Sequence, residues 1–365
     1  MIDSLEIRNF KCFAEQQLRF RPLTVLTGQS SGGKSSVIQA IAIMFSEHER
    51  IRQVSVADVG GASLGEAQDI LYQGAESPVI TFAAVREESR WTLGLEVPAV
   101  RSMILEIIEE VGKAEFDAGL PTVGQFAYLS AERSGPRDLQ AISPAAADDL
   151  NVGPRGEYCA HVLSKLERET VVAGRRHPET DERGGVITFA AQVEAWMSTI
   201  VCPIRINATW IPGAAAAMLR FKPPDIRTEW LRPANVGFGL SYSLPIVVAA
   251  LSCPAGGLLI VENPEAHLHP AGQTAIGRFL ARIAASGSQV VIETHSDHVL
   301  DGIRIEGTSR GCLNPEDVVV HYFEANSNPV ELTIDTQGDM SQWPVGFFDQ
   351  TERDLSELIR VRTGE

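Results

Sequence analysis

The sequence has no C-x-x-C pair: its five cysteines, Cys12, Cys159, Cys202, Cys253 and Cys312, are scattered over 365 residues. Such spacing suggests neither a zinc site nor a disulfide framework, and a reducing cytoplasm is the expected setting. Hydrophobic residues make up 44% of the chain, yet no stretch approaches the roughly eighteen uncharged apolar residues of a membrane span. The opening Met1-Ile2-Asp3-Ser4-Leu5-Glu6 lacks the basic start and apolar block of a secretory signal. Positive charge is also in short supply, with 31 Lys and Arg against 47 Asp and Glu and a net charge of −16. That balance argues against coating nucleic acid by bulk charge, while leaving room for a local basic groove. No heptad pattern is sustained, which excludes a long coiled-coil arm, and there is no internal repeat or low-complexity tract.

What is present is Gly28-Gln29-Ser30-Ser31-Gly32-Gly33-Lys34-Ser35, which fits the phosphate-binding pattern G-x-x-x-x-G-K-[ST]. Glycines are needed because backbone N–H groups must turn inward around phosphate oxygens, in conformations closed to residues with a Cβ. Leu23-Thr24-Val25-Leu26-Thr27 reads as a buried strand before the loop, and the segment from Ser36 to Phe45 as an apolar helix after it. The N-terminal dipole of that helix faces the phosphates. The candidate nucleotide-binding residues are therefore Gly28, Gln29, Ser30, Ser31, Gly32, Gly33, Lys34, Ser35 and Ser36. Lys34 is expected to reach the β- and γ-phosphates, and the Ser35 hydroxyl to ligate Mg²⁺.

The rest of the chain reads as an α/β core interrupted by an insertion. Val79–Val85 and Trp91–Val97 look like strands of one hairpin. Met103, Ile104, Ile107, Ile108 and Val111 follow helical spacing, and helices are also expected near 157–169 and 189–200. Later, apolar strands at 257–261 and 289–292 flank an amphipathic helix at 271–285, which implies a parallel sheet with helices on both faces. The expected domains are a discontinuous core of residues 1–97 and 235–340 and an inserted, mainly helical lobe at 98–234. A stretch at 125–130 in that lobe is a candidate core strand, and a C-terminal tail at 341–365 is expected to pack on the core.

Two of these strands end in chemistry. Val261 is followed by Glu262-Asn263-Pro264-Glu265, and Ile292 by Glu293-Thr294-His295-Ser296. The acidic groups of the first, Glu262 and Glu265, at the end of a buried parallel strand lie at the mouth of the sheet, where ligands bind in open α/β folds, and the second places His295 at the same edge. Glu262 is a candidate Mg²⁺ ligand, direct or through water, and His295 a candidate contact for the γ-phosphate or attacking water. His267 and His269 read mainly as packing or subunit-contact residues. Between 200 and 235, Arg205, Arg220, Lys222, Arg227 and Arg232 outnumber Asp225 and Glu229, with Trp210 and Trp230 interleaved. Two readings stay open there: a grip on a phosphate backbone, or a solvated face with buried tryptophans. For Arg133 and Arg137, contact with nucleotide or partner stands beside a structural salt bridge.

The ordered set of motifs resembles the ABC-type ATPase heads of the RecF, SMC and OLD group. Ile7-Arg8-Asn9-Phe10-Lys11-Cys12-Phe13 is similar to the group's first strand, and the segment from Asn235 to Pro245 to its signature region. Glu262–Glu265 with Leu268-His269-Pro270 resembles the Walker B strand and D-loop, and Thr294-His295-Ser296 the switch. Stretches Ser130–Arg133, Gly156-Glu157-Tyr158 and Trp343–Asp349 resemble stand-alone prokaryotic AAA-type members without a nuclease domain. The resemblance implies a P-loop NTPase core with a mixed sheet, ATP and Mg²⁺ as cofactors, and a homodimer that sandwiches ATP between heads.

Two departures qualify what the resemblance implies. Where the group has Asp-Glu, this chain has Glu262 and Asn263, and Asn accepts no proton at neutral pH. Glu265 is the candidate substitute base; otherwise hydrolysis is slow. The signature carries Gly237-Phe238-Gly239 in place of Ser-x-Gly, so Gly239 and Ser241 are the candidates to complete a partner's site. The function expected is an ATP-hydrolysing dimeric switch in DNA maintenance or anti-phage defence, with a nuclease or toxin effector supplied in trans. DNA or RNA is a further candidate partner, and no membrane is expected. The alternative is a nucleotide-gated scaffold with negligible turnover. An ABC transporter subunit is disfavoured by the altered signature and the RecF-like first strand.

Overall fold

The computed structural model describes residues 1–45, 52–117, 126–145, 150–224, 229–308, 310–324, 328–344, 346–348 and 350–363. Gln125, Asp225, Arg227, Val345 and Asp349, named above, lie outside the described residues. Elements are numbered in chain order. An antiparallel sheet holds β1 (Ser4–Phe10), β2 (Phe13–Arg19), β4 (Gln53–Ser55), β5 (Val79–Arg86), β6 (Ser89–Glu96) and β7 (Ile104–Val111), in the order β2-β1-β5-β6-β7-β4. A second sheet holds β3 (Leu23–Gly28), β8 (Phe126–Leu129), β12 (Leu258–Glu262), β13 (Gln289–Glu293), β14 (Val318–Phe323) and β15 (Val330–Leu332). Its order is β15-β14-β3-β13-β12-β8, parallel throughout except for β15. A small third sheet orders β10 (Arg205–Ile211), β11 (Ala216–Lys222) and β9 (Leu139–Ala141).

The helices are α1 (Lys34–Phe45), α2 (Lys113–Asp117), α3 (Cys159–Leu166), α4 (Pro178–Arg183), α5 (Phe189–Ile200), α6 (Phe238–Ser252), α7 (Pro270–Ala285), α8 (Asp297–Glu306) and α9 (Gln350–Thr363). The parallel sheet is buried on both faces, which is why β12 and β13 read as unbroken apolar runs. Alternate side chains enter different cores. Leu259, Val261, Val290 and Ile292 pack with α5, α6 and α7, whereas Leu258, Ile260 and Val291 pack with α1 and the antiparallel sheet. Each such side chain contributes about 1.5–3 kcal/mol on full burial, so the period of two fixes the sheet firmly between its layers.

Two expectations change. The 103–111 segment is strand β7, not helix. Leu105 and Ile107 are buried while Ile104 and Ile108 are exposed, a period of two that β-branched residues favour. Its partners β6 and β4 supply the ladder that local spacing does not reveal. The 98–234 region is accordingly not mainly helical: five strands lie in it beside four helices among the described residues, and β7 and β8 join the two large sheets. In the tail, Phe347 is buried and sets its ring edge-on to Tyr322 of β14, whereas residues 353–361 of α9 are exposed.

Candidate nucleotide site

The loop between β3 and α1 is shaped by positive φ angles of 121° at Gly28, 65° at Ser31 and 108° at Gly33. A Cβ on Gly28 would stand 2.2 Å from the Phe323 carbonyl oxygen on β14, and one on Gly33 would stand 2.5 Å from the Phe13 ring. Only glycine fits between those walls. The ammonium of Lys34 donates to the loop's own carbonyls, at 3.1 Å to Gly28 and 2.7 Å to Gln29. Burial lowers its pKa, and the nearby Glu293 carboxylate works the other way. The start of α1, at Lys34, points its unpaired N–H groups at this loop.

The strand ends bring carboxylates to the same edge. Glu262 and Glu293 are register partners on β12 and β13, but they do different things. The Ser35 hydroxyl donates to Glu293, 3.3 and 3.4 Å from its two oxygens. Burial, with the Glu262 charge behind it, pushes the Glu293 pKa up to about 7, against the pull of Lys34 and Ser35. Glu262 is turned toward β8: one oxygen accepts from the Tyr128 hydroxyl and the other from the Ala131 backbone N–H, both at 2.9 Å. Glu265 accepts at 2.8 Å from the Thr294 hydroxyl and at 2.8 Å from the His295 backbone N–H. It ties the turn after β12 to the turn after β13. Asn263 sits at φ 44°, and its side-chain oxygen is buried with no partner among the described residues.

His295 is exposed at the rim, its pKa lowered first by burial and then by the Lys34 charge. A cleft of about 290 Å³ unites Lys11, Cys12, Ser30, Ser31, Gly33, Lys34, Ser35, Ser36, Glu293 and His295. A larger groove of about 360 Å³ beside Gln192, Glu194 and Arg205 lies away from the strand ends, and no phosphate-binding loop opens into it. The loop's glycine-walled cradle fits a nucleotide's phosphates. The hydroxyl and carboxylate oxygens of Ser35 and Glu293 are hard donors of the type Mg²⁺ takes. Among the described residues no three His, Cys, Asp or Glu side chains form a cage of their own, so the ion would be held jointly with phosphate oxygens.

Two ATPase family models match parts of the chain: "AAA ATPase domain" over residues 1–83, and "AAA domain, putative AbiEii toxin, Type IV TA system" over residues 225–301. A third, "Protein of unknown function (DUF3696)", matches residues 313–358. No curated protein matches. Among solved structures, an SMC head bound to the C-terminal winged-helix domain of ScpA aligns at TM-score 0.53 and 11% identity, covering 92% of this chain and 98% of that one. An SMC head with an extended coiled coil, bound to the C-terminal domain of ScpA, from Pyrococcus furiosus, aligns at TM-score 0.51 and 10% identity, covering 99% of each chain. The fold is that of an SMC head domain, and ATPase-domain models match its two core segments.

The β3-β13-β12 order sets the strand that ends in Glu293 between the loop strand and the strand that ends in Glu262. The signature region caps α6, away from the cleft lining. Gly237 is its N-cap, Phe238 is exposed, and a Cβ on Gly239 would press on the His267 carbonyl oxygen at 2.9 Å. Ser241, expected to present a hydroxyl to a partner, is only 7% exposed, and its hydroxyl has no partner among the described residues. The exposed residues of this segment are Asn235, Gly237 and Phe238. His267 packs its ring 4.4 Å from Tyr242, and His269 caps α7 by accepting from the Ala271 N–H, so packing roles suffice for both.

Arg133 takes the structural role, though by backbone hydrogen bonds rather than a salt bridge. Buried, it donates to the carbonyls of Ser130, Glu262 and Asn263 and lies over the Tyr242 ring. Burial holds its pKa down to about 10, still far above neutrality. Arg137 is exposed. In the basic stretch, Arg205 pairs with Glu194, and Arg220 and Arg232 pair with Asp138. Trp210 and Trp230 are 40% and 45% exposed, so neither is a buried core residue. Reading the sequence alone missed Tyr128 and assigned no role to Glu293. The signal for Glu293 was available, since it ends an apolar strand in the same way as Glu262.

Proposed function

We propose that this head binds Mg²⁺·ATP in the cleft over residues 28–36 and hydrolyses it slowly as part of a dimeric switch. The observation that carries the reading is the glycine-walled loop with Lys34 and Ser35 set beside the carboxylate-bearing strand ends. The loop's N–H groups and Lys34 would bind the phosphates, exchanging the lysine's bonds to Gly28 and Gln29 for phosphate oxygens. Bound Mg²⁺ would supply charge neutralisation at the β- and γ-phosphates. His295 at the rim would contact the γ-phosphate or the attacking water. The start of α6 is proposed to complete the nucleotide site of a second head, through the exposed Gly237 and Phe238 rather than the buried Gly239 and Ser241. A role in DNA maintenance or anti-phage defence, with a nuclease or toxin effector in trans and DNA or RNA as a further partner, extends this reading. The AbiEii description and the ScpA-bound SMC heads support a protein partner. Among the described residues no helix is long and apolar enough to cross a membrane. The setting proposed is cytoplasmic, in line with five free cysteines.

Asn263 favours a second reading, a nucleotide-gated scaffold with negligible turnover. The carboxylate expected at its position is missing, and both oxygens of Glu265 are already engaged. Steady-state phosphate release by the wild type, Lys34→Ala and Glu265→Gln separates the two. Turnover in the wild type well above the Lys34→Ala background supports the ATPase; turnover at that background, with nucleotide still bound, establishes the scaffold.

A further inference from the structure

We propose that Glu293, and not Glu262, is the protein carboxylate of the Mg²⁺ site, a step that rests on reading the cleft as a nucleotide site. Three independent features lead there. The first is topology. β13 adjoins the loop strand and β12 lies one strand further out, so Glu262 starts about 4.8 Å further from the loop strand than Glu293 does.

The second is occupancy. Both Glu262 oxygens are engaged on the far side, by the Tyr128 hydroxyl and the Ala131 N–H, and Glu262 does not line the cleft. Both Glu293 oxygens instead face the Ser35 hydroxyl, the group that ligates the ion in a phosphate-binding loop.

The third is charge. Glu293 is 6% exposed and has no ion pair among the described residues, because the nearby Lys34 places its hydrogen bonds on Gly28 and Gln29. A buried carboxylate without an ion pair is costly, and a divalent cation on the cleft side supplies charge at the carboxylate itself. Glu293 and Ser35 then act as one donor pair.

The test is Mn²⁺ binding, followed by the loss of the free-ion electron paramagnetic resonance signal, with a saturating non-hydrolysable ATP analogue. Wild type, Glu293→Gln, Glu262→Gln, Ser35→Ala and the Ser35→Ala/Glu293→Gln double variant are compared. Binding of the analogue in EDTA reports folding and the phosphate cradle separately from the metal. Glu293→Gln is expected to weaken Mn²⁺ by about 10- to 100-fold while metal-free analogue binding persists, and the double variant to lose less than the product of the single losses. Glu262→Gln is expected to change Mn²⁺ affinity far less. Should Glu293→Gln fail to fold, Glu293→Asp decides: it retracts the charge by one methylene and is expected to weaken Mn²⁺ with the analogue still bound. Unchanged Mn²⁺ affinity in the Glu293 variants, or an equal loss in Glu262→Gln, overturns the assignment. A wild type that binds no analogue at all overturns the nucleotide-site reading itself.

Discussion

The hydroxyl of Tyr128 donates a 2.9 Å hydrogen bond to Glu262, joining the ends of β8 and β12 across 134 positions of sequence. Burial, reinforced by the Glu262 charge, raises the tyrosine's pKa, so it stays a donor throughout the physiological range. A hydrogen bond to a charged group contributes about 1.5–3 kcal/mol. Tyr128→Phe, which keeps the ring, is therefore expected to destabilise the protein by about 2 kcal/mol in urea denaturation. An unchanged midpoint would show that Glu262 is satisfied without it.

Gly28 is the least replaceable residue of the loop. At φ 121° and with a phantom Cβ against the Phe323 carbonyl, alanine combines backbone strain with a clash between β3 and β14. Gly28→Ala is expected to lose at least about 2 kcal/mol of stability and to abolish nucleotide binding. Calorimetric unfolding and a fluorescent-nucleotide titration check the two effects separately.

Glu293 makes the nucleotide-free protein less stable as pH rises. Its folded pKa lies near 7, above the ordinary glutamate value of 4.5, so the folded state holds a proton that the unfolded chain has already released. Stability from this group is therefore fully present below about pH 4.5 and lost as pH rises through about 7. Glu293→Gln removes the penalty. Without nucleotide or metal, its stability is expected to exceed that of the wild type by up to about 3 kcal/mol at pH 8, with the difference vanishing near pH 4. Parallel urea titrations across this range measure it, and a difference that grows toward low pH would contradict it.

Glu265 is expected to behave first as a tie. Its two 2.8 Å bonds hold the Thr294 hydroxyl and the His295 N–H. Glu265→Ala is expected to cost about 1–3 kcal/mol and to speed amide hydrogen exchange at His295, with Glu265→Gln intermediate because it keeps one acceptor. Unaltered exchange at His295 in the alanine variant would mean the switch is held by other contacts.

The loop and its flanking strand and helix were legible in the sequence because all their determinants are local: glycine spacing, an apolar run before and another after. The parallel strands at 258–262 and 289–293 were legible for the same reason. The 103–111 segment was not. Its apolar residues fit helical spacing equally well, and the choice is made by β4 and β6, which lie elsewhere in the chain. The division of labour between Glu262 and Glu293 was hidden too, since it depends on which strand β8 joins and on Tyr128 arriving there. The exposure of Trp210 follows from its place on β10 in the small sheet, where it packs against the Lys165 ammonium.

Arg133 carries a mechanical consequence. One guanidinium grips carbonyls at the ends of two neighbouring strands and rests on Tyr242 of α6. A displacement of α6 at Phe238, its exposed first residue, would thus reach the backbone of Glu262 and Asn263 without passing through the phosphate loop. The side chain works as an axle pin between the outer face of the head and its acidic strand ends.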